Sequence, residues 1–432
     1  MNKHLYRIVF NKARGLLMVV AENVSSGAKA AGSVGSGTVA PVCEVRLMPL
    51  RFAMMMGLGL ITLVAASAQA AVIADPTAPA GQQPGIGATG SGVTQVNITA
   101  PSAGGVSRNT YQQFDVDSRG VILNNSATNS RTQLGGWVEG NAALSGGSAR
   151  VILNEVNSSN PSRLNGYVEV AGSRAQVVIA NPSGISCDGC GFINANRATL
   201  TTGKAQFENG ELQGYQVDGG KISINGAGLD GRGSDYTEVI ARSVEVNAGI
   251  WANDLSIKAG KSGAADTGTV GIDVAKLGGM YAGKIVLVGS GDGVGVRNAG
   301  QIGASAGEVV ITADGRLENS GQISSVGAMH VDAGAGVSNT GSFYAQGDLT
   351  LQSAADVDNH GIVSGQRNVR VSGKNLRSHS GSTLAAGVDS SGVLGGSGTL
   401  TLEASGKVSA KGQNIAKDGV VAKAGSIDLS DS

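Results

Sequence analysis

The sequence predicts an all-β chain wound into a parallel β-solenoid, and three observations carry that expectation. First, Asn298-Ala299-Gly300-Gln301-Ile302 recurs as Asn319-Ser320-Gly321-Gln322-Ile323, Asn339-Thr340-Gly341-Ser342-Phe343 and Asn359-His360-Gly361-Ile362-Val363. The Asn spacings are 21, 20 and 20 residues. Second, 69 of 432 residues are Gly, more than twice the usual ~7%. Third, Gly, Asn, Ser and Thr punctuate short runs of Val, Ile and Leu, the pattern of brief strands and tight turns. Collagen needs a strict G-X-Y period and much Pro, and only 8 Pro are present. Disorder is disfavoured, because 41% of residues are hydrophobic and 15% are charged.

In chain order, residues 1–70 read as an extended signal peptide. Residues 52–66, FAMMMGLGLITLVAA, form an uncharged apolar run preceded by Arg46 and Arg51 and followed by Ala68-Gln69-Ala70. This is the arrangement of a secretory signal, with cleavage expected after Ala70. The run is shorter than the ~20 residues a spanning helix needs. Residues 1–26 add four basic residues and a second apolar stretch. Taken alone they pass as an amphipathic helix. They resemble the signal-peptide extension of Gram-negative autotransporters and two-partner exoproteins, which implies modulated inner-membrane export.

Removing this segment changes the charge. Of the 32 basic and 32 acidic residues, seven and two fall in the first 70, leaving a net charge of −5. No basic stripe is present, so nucleic acid is not expected as a partner.

Residues 71–92 are rich in Ala, Pro, Gly and Thr and read as a flexible mature N-terminus. Residues 93–258 hold dense β-type runs: Val151-Ile152-Leu153, Tyr167-Val168-Glu169-Val170, Gln176-Val177-Val178-Ile179, Lys221-Ile222-Ser223-Ile224 and Ser243-Val244-Glu245-Val246. Residues 259–432 hold the repeats of about 20 residues, with Asn247-Ala248-Gly249-Ile250 as an earlier echo.

One unit of this size cannot bury its apolar face alone, so neighbours must stack. Rungs ~4.8 Å apart give ~16 rungs and a rod of ~80 Å. Asn and Gly both tolerate left-handed turns, which accounts for the anchors. Stacked Asn298, Asn319, Asn339 and Asn359 are expected to hydrogen-bond as a ladder. The open ends need covering, and residues 93–150 are expected to cap one. The composition is unchanged through Asp431-Ser432, so the rod is expected to continue in a longer parent protein.

A family resemblance lies in the first of these regions. Gln113-Phe114-Asp115-Val116 with Gly120-Val121-Ile122-Leu123-Asn124-Asn125-Ser126, then Leu134-Gly135-Gly136-Trp137-Val138-Glu139-Gly140-Asn141, match successive turns of a known pattern. Asn154-Glu155-Val156 and Ser162-Arg163-Leu164-Asn165-Gly166 continue it. Ala180-Asn181-Pro182-Ser183-Gly184-Ile185 resembles an N-P-N-G-I signature, with Ser183 in place of the second Asn. A Ser side chain makes a similar but weaker turn bond. Residues 93–258 thus resemble the complete haemagglutination-type secretion domain of two-partner-secretion exoproteins, the filamentous haemagglutinin and contact-dependent growth inhibition toxin family. The resemblance implies a right-handed parallel β-helix with small extra-helical hairpins. It implies an outer-membrane β-barrel transporter as partner. It also implies a role in transporter recognition for the turns at Asn124, Asn125, Asn181, Pro182, Gly184 and Ile185. Maintenance of the fold by those same turns is the alternative.

Cys43 leaves with the signal segment, and Cys187 and Cys190 form a C-x-x-C pair. A zinc site needs about four ligands, and no second Cys pair accompanies this one. An exported chain meets an oxidising compartment, which favours a local disulfide over free thiols. The pair resembles the inhibition-toxin branch more than the plain haemagglutinin branch. Gly85-Ile86-Gly87-Ala88-Thr89-Gly90 satisfies G-x-G-x-x-G without the strand–helix context that gives the motif meaning. His330, His360 and His379 read as solvated loop residues. No catalytic set stands out, and no metal or cofactor is expected.

The expected function is the secretion and stalk region of a large exoprotein, presented at the cell surface as an adhesin. The alternative is the stalk of a contact-dependent growth inhibition toxin whose effector domain lies outside this chain. Either use implies a receptor on a host or neighbouring cell.

Overall fold

The computed structural model describes residues 6–11, 16–21, 71–263, 270–291 and 293–430. The signal cleavage position at Ala70 lies outside the described residues. The chain divides into two units, residues 1–65 and 66–432. In the first, Tyr6–Asn11 pairs antiparallel with Leu16–Ala21. This is a hairpin rather than the amphipathic helix that residues 1–26 suggest alone. Its runs YRIVFN and LLMVVA are short and contain the β-branched residues that pleated backbone favours.

The second unit is a parallel β-helix. Three ladders run along it, and each is formed by equivalent strands of successive rungs. One passes through Ile257, Leu287, Ile311, Val331, Leu351, Val371, Leu402 and Ala422. A second passes through Val296, Leu317, Val337, Val357, Leu376, Val408 and Ile427. The third carries Met280, Ile302, Ile323, Phe343, Val363 and Leu384, then Asn414. From Ile272 onward strands are three to six residues long, and many alternate in burial, as along Val309–Ala313. That alternation follows from the pleat, which sends successive side chains to opposite faces. As far as Leu402, Val408 and Leu384, the inward residues of the three ladders join one continuous apolar core. Parallel pairing sets like above like, so a 20-residue period in sequence becomes a column of apolar side chains in space.

The period stretches where extra residues leave the coil. Val371 and Leu402 are neighbours, and the intervening chain includes a small bridge between Val388 and Leu394. Two antiparallel hairpins also stand outside the coil. Ser130–Thr132 pairs with Gly136–Val138, and Lys204–Glu208 pairs with Glu211–Gln216.

The N-terminal end is covered earlier than the composition suggests. Residues 71–92 carry strands Val72–Ala74 and Gly85–Ala88 and a 3-10 turn at Ala80–Gln82. Val72–Ala74 pairs antiparallel with Val106–Phe114, and Gly85–Ala88 with Thr94–Asn97. The segment is therefore part of the cap, not a flexible tail. Asp75 Oδ1 accepts bonds from the Thr77 amide and hydroxyl, which fixes the turn after the first strand. Thr94–Asn97 then starts the parallel stack on Val121–Asn125. Antiparallel strands suit this end, because they occupy a strand edge that another chain would otherwise pair with.

The repeat anchors meet a different constraint from the one expected. Neither the anchor asparagines nor Gly300, Gly321, Gly341 and Gly361 occur among the positive-φ residues. A Cβ on Gly321 would lie 2.1 Å from the carbonyl oxygen of Gly300, and one on Gly341 2.0 Å from that of Gly321. Glycine is needed there because adjacent rungs touch backbone to backbone.

Candidate functional site

The turns singled out by the sequence are buried. Asn124, Asn125 and Asn181 are fully enclosed, and their amides close corners of the coil. Asn125 Nδ2 donates to the carbonyls of Ala149 and Ser173, both at 2.9 Å, and its Oδ1 accepts from the Ala149 amide at 2.7 Å. One side chain thereby closes the corner of its own rung and ties it to the next. Asn124 Nδ2 donates to Asn97 Oδ1 and to the Glu139 carbonyl. Asn141, one turn on, donates to the carbonyls of Ile98 and Asn124 and accepts from the Ala143 amide, capping a 3-10 turn.

Asn181 sits at the next corner. Its Nδ2 reaches the Asn160 carbonyl and Ser162 Oγ, and its Oδ1 accepts from the Ser183 amide at 2.9 Å. The Gly184 amide donates to the Asn181 carbonyl, closing a tight turn. Gly184 has φ +114°, a conformation that L side chains resist. Ile185 is buried, so only Pro182 and Ser183 of this turn face outward. Ser183 Oγ donates to the Ser158 carbonyl at 3.0 Å. The Asn125 and Asn181 corners flank the strand Ala175–Ala180, which spans about 20 Å. They form two sites rather than one.

Cys187 and Cys190 are joined by a disulfide with Cα atoms 5.4 Å apart. Both sulfurs lie in the apolar core, and the intervening Asp188-Gly189 turns outward. Asp188 Oδ1 accepts from the Ala227 amide on the following rung.

Further along, the anchor asparagines stack. Asn298 Nδ2 donates to Asn319 Oδ1, Asn319 to Asn339 and Asn339 to Asn359, at 2.8, 2.9 and 2.8 Å. Asn359 ends the run on Ser378 Oγ at 3.1 Å. Asn247 is not in this column. Val246, Val274 and Asn298 align, and Asn247 is exposed and donates to Asn225.

Two buried carboxylates escape sequence reasoning. Glu169 is 3% exposed and accepts from the amides of Gln133 and Leu134 at 2.6 and 2.8 Å. It pins the loop of the Ser130–Val138 hairpin to the coil, while Trp137 at the hairpin's outer edge is 71% exposed. Glu238 bonds Arg197 and Lys258 on the rungs either side. Tyr215 from the second hairpin is half-buried nearby, and the loss of water around its phenol raises its pKa well above the usual value. An acid in an outward strand position, with a hairpin elsewhere in the same domain, is the only signal the sequence offers for such a latch.

The family profile described as the TPS secretion domain matches residues 70–319. The chain belongs to this family. The profile of the Extended Signal Peptide of Type V secretion system matches residues 1–47, and the haemagglutinin repeat matches 304–364, 325–387 and 382–431. Toxin CdiA of Yersinia pestis is 53% identical over 100% of this chain, which covers 14% of that protein. The tRNA nuclease CdiA-2 of Burkholderia pseudomallei is 44% identical, again over 100% of this chain and 14% of the relative. The chain therefore spans about one seventh of the length of these relatives. Among solved structures, the filamentous hemagglutinin secretion domain is 27% identical with a TM-score of 0.48, covering 82% of this chain and 99% of that one. The HMW1 secretion domain from Haemophilus influenzae is 16% identical with a TM-score of 0.44, covering 81% and 98%.

A TPS secretion domain followed by haemagglutinin repeats is an export module with its stalk. With the extended signal peptide, it marks a secreted Gram-negative protein that passes through the periplasm to the cell surface. The family implies an outer-membrane transporter of the two-partner system as export partner.

Proposed function

We propose that residues 71–258 engage the transporter through their outward elements, and that the buried asparagine corners maintain the coil those elements stand on. The burial of Asn124, Asn125 and Asn181 supports this division. Among the outward elements, Pro182-Ser183 and the Trp137 hairpin are the ones assigned to recognition. The chain crosses the outer membrane unfolded and winds rung upon rung outside, each rung templating the next. Co-expression with the cognate transporter tests the export reading. Release into the medium is expected only with the transporter, and equal release without it overturns the reading. Asn125→Ala is expected to lose release and protease resistance together. Trp137→Ala is expected to reduce release while the coil stays protease-resistant.

Beyond export, we propose that the chain is the delivery stalk of a contact-dependent growth inhibition toxin. The carrying observation is 53% identity across the whole chain to a protein named a toxin. On this reading the described residues hold no catalytic step, and the receptor belongs to a neighbouring bacterium. No nucleic-acid contact is assigned to the stalk, whose net charge beyond residue 70 is negative. The haemagglutinin repeats favour a second reading, a host-directed adhesin. Reading the gene beyond the Ser432 codon and then growing the producer with a sibling lacking the locus separates the two. A toxin depletes the sibling, and an adhesin does not.

A further inference from the structure

We infer that Asp358, His360 and His379 form a binding site for a divalent transition-metal ion of the Zn2+ class on the outer face of the stalk. Asp358 lies in strand Val357–Asn359, and His360 follows that strand directly. His379 follows Leu376–Ser378, the equivalent strand of the next rung. Asn359 and Ser378 are register partners, so stacking brings the two histidines together although 18 residues separate them in sequence. Their imidazole rings are parallel to within 11°, with centroids 3.7 Å apart. Both turn Nε2 toward the same oxygen. Asp358 Oδ1 is 2.6 Å from His379 Nε2 and 3.7 Å from His360 Nε2.

The donor set and spacing suit such an ion. Two imidazoles and a carboxylate are the protein ligands of one class of open zinc site. Borderline metals such as Zn2+, Co2+ and Ni2+ prefer imidazole over the all-oxygen shells of Ca2+ and Mg2+. Around a tetrahedral ion with bonds of ~2.0–2.1 Å, donor atoms stand about 3.3 Å apart. The observed 2.6 and 3.7 Å bracket that value. The stacked rings hold their in-plane lone pairs parallel, so binding requires one imidazole to turn out of the stack, a movement open to side chains that are 40–48% exposed. The same exposure leaves room for a fourth ligand from solvent. A bound ion would join two successive rungs where the asparagine ladder ends on Ser378.

The test uses the tag-free mature chain, secreted with its transporter, kept oxidised and stripped with chelator. Titration with Co2+ is followed by its visible absorption, and Zn2+ is then added as competitor. One Co2+ per chain with tetrahedral bands, displaced by Zn2+, is the expected result. His360→Gln and His379→Gln are each expected to weaken binding by at least about tenfold. His330→Gln, elsewhere on the stalk, is expected to leave it unchanged. Circular dichroism checks that each variant keeps its β signal. The absence of saturable binding overturns the site, as does binding that survives both histidine substitutions in a folded chain.

Discussion

At the scale of single residues, the asparagine ladder shows how the repeat holds a polar group inside an apolar rod. Asn319 accepts from Asn298 and donates to Asn339, and all three are almost wholly buried. A buried amide left without a partner costs about 1–3 kcal/mol. Asn319→Ala orphans an amide donor on one side and an acceptor on the other. The expected destabilisation is about 2–5 kcal/mol, measured by denaturant unfolding of the secreted chain. A loss well under 1 kcal/mol would mean that water or backbone replaces the ladder bonds. The neighbouring glycines are constrained by a different force, since a Cβ on Gly321 would enter the carbonyl of the rung before it.

At the scale of elements, the hairpins are held on the coil by particular side chains. The Glu169 carboxylate takes the amides of Gln133 and Leu134, and Thr132 Oγ1 donates to the Gly136 carbonyl within the hairpin. A carboxylate receiving two amides is a charge-assisted contact, stronger than a neutral pair. Glu169→Ala is expected to free the hairpin while the coil beneath stays paired. Limited proteolysis should then cut between Arg131 and Trp137 at least several-fold faster than in the parent chain, with the remaining fragments still resistant. Cleavage spread throughout residues 93–258 would instead assign Glu169 to the coil itself.

At the scale of the whole solenoid, stability is close to a sum of rungs and their interfaces. Leu351 packs between Val331 and Val371 in a column that repeats each rung. Leu351→Ala is expected to cost about 2–5 kcal/mol. Hydrogen exchange should show the loss concentrated in the rungs near 331–371, with the secretion domain retaining its protection. A uniform loss from residue 93 onward would show that the rod unfolds as one unit.

The sequence by itself determined the class of fold, the secretory signal pattern and the repeat. Each rests on local chemistry: a period of about 20 residues, an apolar run after Arg51, and turn residues between β-branched runs. It also placed Cys187 and Cys190 within reach of each other, since two residues separate them. Tertiary structure decided what depends on stacking. It put Val72–Ala74 and Gly85–Ala88 into the cap, although their composition reads as loose chain. It buried Glu169 under a hairpin and left Asn247 out of the ladder that its sequence echoes. It also set His360 against His379. The physical reason is register. The period fixes neighbours where each turn has the same length, as from Asn319 to Asn359. Where extra residues loop out or another element covers the face, only the folded coil specifies which side chains meet.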